Sequence, residues 1–125
     1  MSSQISKTDD GILTVHIGGL LTEAEFTATQ RSAAEEIDKE TEKVRLLVIA
    51  EDFQGWKRGD AWGDVSFQDK YDTRIKKMAI VCEDEWKDLV LMFAGQGVRR
   101  FPVRHFLPSE VDNARAWLLK IISVD

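Results

Sequence analysis

The chain has a single cysteine, Cys82, so no internal disulfide can form and a reducing, cytoplasmic setting is the default expectation. Two prolines and 8 glycines in 125 residues are too few for a disordered or collagen-like chain. No apolar run approaches the roughly 20 residues that a bilayer span requires. Met1-Ser2-Ser3-Gln4 lacks the basic start and apolar stretch of a secretory signal. There is no GxxxxGK[ST] run and no GxGxxG fingerprint; Gly95-Gln96-Gly97 leads toward a strand rather than a helix. His16 and His105 are spaced like metal ligands neither with each other nor with Cys82, so neither a metal nor a cofactor is expected.

What is present suffices for one domain over residues 1–125. Apolar residues make up 43% of the chain, enough for a single core, and 31% are charged. The net charge is −5 and unevenly spread: residues 1–55 hold 11 acids and 5 bases, residues 56–125 hold 11 and 12. An acidic total repels a polyanion, so nucleic acid is not an expected partner.

The chain is organised around Val44-Arg45-Leu46-Leu47-Val48-Ile49-Ala50. This nearly continuous apolar run, rich in β-branched residues, reads as a central strand covered on both faces, as in parallel sheets. Glu51-Asp52 ends it abruptly, and an aromatic, glycine-containing loop over 52–60 follows. In open α/β sheets ligands gather at such carboxyl ends of strands.

Upstream, Gln4 to Lys7 and Ile12 to Gly19 read as a hairpin about Asp10-Gly11. Thr22 and Glu25 form a capping box, flanked by Leu21 and Phe26 at staple positions, which starts a helix over about 22–41. Downstream, the pattern predicts a helix over 61–73, a strand over 74–82, a helix opened by Glu83-Asp84-Glu85, an edge strand over 98–106 containing Pro102, and a last helix capped by Ser109. The order is ββαβαβαβα: an α/β fold with one mixed, five-stranded sheet flanked by about four helices.

The run Leu46-Leu47-Val48, Glu51-Asp52-Phe53, Gly55-Trp56 and Ala61-Trp62, with Met78-Ala79-Ile80-Val81, Glu85-Trp86 and Ala114-Arg115-Ala116-Trp117-Leu118, resembles the SpoIIAA-like family. The resemblance implies a fold like the STAS domain of anti-sigma factor antagonists, and it brings no enzymatic activity with it. True antagonists carry a phosphorylatable Ser at the start of the helix after the central strand, where a phosphate adds about −1.5 to −2 charge beside the partner surface. The matching segment here, Asp52 to Ala61, contains no Ser or Thr, and Ser66 lies further along. No phosphoserine switch is expected at that point.

Phe53, Trp56 and Trp62, with Asp52, are the candidate binding residues: three aromatics within ten residues, around Gly55 and Gly59. They either wall a site for an apolar ligand such as a lipid, or for a protein partner, or they act as lids over the core. Exposed aromatic surface would also suit a homodimer. A second candidate is a basic patch of Lys76, Lys77, Arg99 and Arg100, with Arg104 and His105, for peripheral contact with anionic lipid or an acidic partner. The competing reading makes these residues guards of a sheet edge. A third, enzymatic reading places Glu51, Asp52, Glu83 and Asp84 across one crevice for acid–base or cation chemistry; as alternatives they solvate loop ends. Cys82 is either a reactive thiol at a helix start or a small buried side chain ending a strand.

Overall fold

Apolar alternation along the strands, and the helical stripes between them, place two separate cores on the two faces of one sheet. The computed structural model describes residues 3–8, 11–57, 70–94 and 101–120. Strands β1 (Ser3–Lys7), β2 (Ile12–Leu21), β3 (Val44–Trp56), β4 (Ile75–Val81) and β5 (Val103–Phe106) lie side by side in chain order. β1 runs antiparallel to β2, and every later pair is parallel. The expected mixed sheet, with 44–50 at its centre, is therefore what forms; of the edge strand expected over 98–106, Val103–Phe106 is strand and Pro102 lies just before it.

Helix α1 (Glu23–Asp38) joins β2 to β3, α2 (Lys87–Ala94) joins β4 to β5, and α3 (Val111–Leu119) follows β5. Of the helix expected over 61–73, residues 70–73 are described: Lys70 and Tyr71 are helical, and Asp72 opens the 3₁₀ turn Asp72–Arg74. The described residues thus hold three α-helices, and residues 61–69 of the fourth expected one lie outside them.

One face of the sheet carries the larger core. Leu13, Leu46, Ala50, Met78 and Ile80 pack there with Ala33 and Ile37 of α1, Tyr71, and Val90 and Leu91 of α2. The other face carries Ile12, Leu47, Ala79, Val81 and Phe106 under Ala114 and Leu118 of α3. Side chains alternate across a strand, so β3 feeds both cores, with Leu46 on one side and Leu47 on the other. A strand so placed must be apolar almost throughout, which is why this segment was legible.

The start of α1 follows local chemistry. Thr22 Oγ1 accepts from the Glu25 N–H at 3.1 Å, and Glu25 Oε1 accepts from the Thr22 N–H at 3.3 Å. Leu21 and Phe26, the staple pair, both pack into the larger core. Thr22→Ala should cost about 1 kcal/mol of stability, read by urea denaturation; an unchanged midpoint would mean that the helix gains nothing from this cap.

The start of α3 departs from expectation. Pro108–Glu110 form a 3₁₀ turn, and the Glu110 carboxylate accepts from the Leu107 N–H at 2.8 Å. Ser109 lies inside that turn and caps nothing. Proline suits a first helical turn, where its missing N–H would have no partner in any case.

The helix C-termini are closed from the sheet. Neither α1 nor α3 has a basic residue within its last turn, and Lys39 and Lys120 stand only at the C-caps; side chains from elsewhere in the chain reach the last carbonyls at each negative end. Arg74 does so for α1, donating to Ile37 O at 2.9 Å and Glu40 O at 2.7 Å. For α3, Arg45 Nε donates to Leu118 O at 2.6 Å, while Lys77 Nζ donates to Trp117 O at 2.6 Å and Lys120 O at 3.0 Å. Arg45 and Lys77 are register partners on adjacent strands, so together they form a cationic seat for the end of the helix. The Lys77 ammonium also sits 4.8 Å from the centre of the Trp117 ring.

Candidate functional site

β3 outlasts β4. Their ladder ends at Ile49↔Val81, whereas β2 continues to pair with β3 through Gly18↔Glu51, Gly19↔Phe53 and Leu21↔Trp56. The segment predicted as a loop from residue 52 is therefore strand as far as Trp56. Two register shifts bend this β2–β3 ribbon as it leaves the sheet. Asp52 is the extra residue of the first shift and takes a positive φ of 51°, a conformation that aspartate tolerates better than most side chains. A Cβ on Gly18 would lie 2.8 Å from the Glu51 carbonyl oxygen, so the two backbones approach closely only because that position is glycine.

The bend decides where the aromatics go. Phe53 turns into the larger core, and Trp56 packs half-buried against it. Trp86, in the 3₁₀ turn Asp84–Trp86 after β4, meets both. The Phe53 ring lies 5.1 Å from Trp56 and 5.1 Å from Trp86, and the two indoles are 6.3 Å apart. All three pairs are edge-to-face, the arrangement that the ring quadrupoles favour. Gly55, with φ 97°, makes room: a Cβ there would stand 3.3 Å from the Trp86 ring.

Of the aromatics singled out in the sequence, Phe53 and Trp56 are thus brought together, Phe53 chiefly as core. Trp62 lies outside the described residues. Trp86 completes the group, although it was not among the candidate binding residues read from the sequence. The signal for it was available: Glu85-Trp86 immediately follows the carboxyl end of β4, beside that of β3.

Around the rings the surface is acidic. Glu51 and Asp52 are exposed on the ribbon, and Glu83, Asp84 and Glu85 are exposed on the turn. His16 Nδ1 lies 3.5 Å from Glu51 Oε1. Among the described residues no group of three or more His, Cys, Asp or Glu side chains is placed to share a metal ion. Cys82 is fully buried. Burial, followed by the charges of Glu83 and Asp84, pushes its thiol up from 9.0 to about 11. It stays protonated near neutral pH and behaves as a small apolar side chain. The adjacent carbonyl, Cys82 O, accepts from Nε2 of His105 at 3.0 Å.

The basic patch does not assemble as expected. Lys76 is exposed, but Lys77, the next residue along the same strand, is wholly buried beneath α3. Neighbouring strand residues face opposite ways, so the pair cannot share a surface. Arg104 is exposed, with its guanidinium 5.1 Å from the Phe106 ring centre, and Arg99 and Arg100 lie outside the described residues.

The strand order also refines the crevice rule. With β2 to β5 in sequence, strand order never reverses. Of the described helices, the connecting α1 and α2 both pack on the larger-core face, and α3, which follows β5, packs on the other. The site past β3 therefore rests on its ribbon and rings rather than on a crevice between diverging crossovers.

The SpoIIAA-like family profile matches residues 12–119. An uncharacterised protein of the DUF3478 family from Shewanella loihica PV-4, which has a SpoIIAA-like fold, superposes with a TM-score of 0.71 at 18% identity, covering 94% of this chain and 92% of that one. No curated protein matches the chain. No described helix is long and apolar enough to cross a membrane.

Proposed function

Given that the chain belongs to the SpoIIAA-like family, we propose that it is a non-enzymatic binding module whose contact surface is the carboxyl rim of the central strands. The ribbon residues Phe53 and Trp56 and the turn residue Trp86 form that surface, and its occupant is a protein partner or a small, largely apolar ligand. A single observation carries this reading. Two partly buried indoles stand side by side at the rim, braced by Phe53 and by the glycine that only a bent ribbon would need. Rigid aromatic side chains lose little conformational freedom on binding, which makes them effective anchors at interfaces. Because Asp52 to Ala61 contains no hydroxyl side chain, binding here runs without a phosphoserine switch at the start of the following helix.

Trp86→Ala tests the reading. The variant should unfold cooperatively, with a loss of about 2 kcal/mol, less than full burial of the ring would give. Its affinity for Nile red, a neutral apolar probe, should fall about tenfold, equivalent to about 1.4 kcal/mol. Unchanged dye affinity alongside a loss of 4 kcal/mol or more (roughly the core value) would make Trp86 a core residue and remove the rim as a binding surface.

A further inference from the structure

Resting on that reading of the rim, we propose that its partner is a basic polypeptide segment whose arginine or lysine side chains lie against Trp56 and Trp86, between the flanking carboxylates. Asp52 on the ribbon and Glu83, Asp84 and Glu85 on the turn are exposed, and none of the four is neutralised by an ion pair among the described residues. This contrasts with the acids of α1 and its C-terminal flank, where Lys39 meets Glu36 and Lys7 meets Glu40. Lys57 and Lys87, which directly follow Trp56 and Trp86, are both exposed. Like charges held close together repel one another, and a bound cation relieves that repulsion. Indole faces attract the same cations through their quadrupole, and arginine also stacks on them. An anionic membrane or a nucleic acid would meet the same carboxylates as repulsion.

Titration of the full chain with an oligo-arginine peptide, followed through the indole N–H signals in a nitrogen–proton NMR spectrum, tests this. Trp56 and Trp86 signals should shift with saturation, and affinity should fall as salt is raised. The double variant Glu83→Lys with Asp84→Lys should weaken binding about tenfold or more, as loss of charge complementarity does. Glu35→Lys with Glu42→Lys makes the same change in net charge, on α1 and before the amino end of β3; it should leave affinity within about twofold, since screening limits distant charges. Equal losses in the two double variants would reduce the effect to overall charge and overturn the proposal. So would binding of oligo-glutamate, or of phosphatidylserine vesicles, in place of oligo-arginine. If Nile red binding still depends on Trp86 while oligo-arginine leaves both indoles unmoved, the rim remains a binding surface and only the basic partner is lost.

Discussion

Lys77→Ala should destabilise the protein by about 4 kcal/mol, and Lys77→Met by about 2 kcal/mol, in urea denaturation at neutral pH. Lys77 is the largest of the fully buried side chains, with 0% of its surface exposed. Its ammonium donates to Trp117 O and Lys120 O at the end of α3. Hydrogen bonds from a charged donor contribute roughly 1.5–3 kcal/mol, and carbonyls stripped of a buried partner are costly in their own right. Methionine restores most of the volume but donates nothing, so the difference between the two variants separates packing from hydrogen bonding. Burying an ammonium is itself expensive, and well-packed apolar replacements of buried charges are sometimes neutral or better. A methionine variant as stable as the parent would therefore show that packing and Arg45 hold α3 without help from the Lys77 hydrogen bonds. Against a typical total of about 5–15 kcal/mol for a domain, the alanine variant should approach the limit of folding.

Gly55→Ala should cost about 2–3 kcal/mol and alter the near-ultraviolet circular dichroism of the tryptophans. Two separate penalties meet at this position. Its φ of 97° lies where an L side chain is strained, and the added methyl would stand 3.3 Å from Trp86. Gly11→Ala serves as the comparison, because its φ of 84° carries the first penalty while nothing lies within 4 Å of the added carbon. It should cost about 1 kcal/mol without changing the aromatic spectrum. If the two variants behave alike, the ring contact contributes nothing and Trp86 is free to move aside.

How much of this could be read in advance differs by element, for physical reasons. The central strand was legible because double-sided burial forces apolar residues at nearly every position from Val44 to Ala50. The start of α1 was legible because its two capping bonds are local, three residues apart. The ribbon beyond Ala50 was not: Glu51, Asp52 and Gly55 carry the composition of a loop, and only pairing with β2, more than thirty residues upstream, makes them strand. Lys77 misled because residue type outweighed alternation; a lysine between Lys76 and Met78 was taken for surface, although Lys76 already claimed that side. The closure of the helix ends was invisible for the same reason as the ribbon, since Arg74, Arg45 and Lys77 reach carbonyls far away in the chain. The site was half legible: its ribbon rings stand together in sequence, but Trp86 arrives from a different connection.

The strictly serial sheet has a consequence for how the chain comes together. Ile12 meets Arg45, Arg45 meets Lys77, and Met78 meets Val103, so each strand docks against one already synthesised and none waits for a partner beyond its next neighbour. The cationic seat for α3 and the core face beneath it are completed only when the last helix docks, which makes that helix the closing latch of the fold.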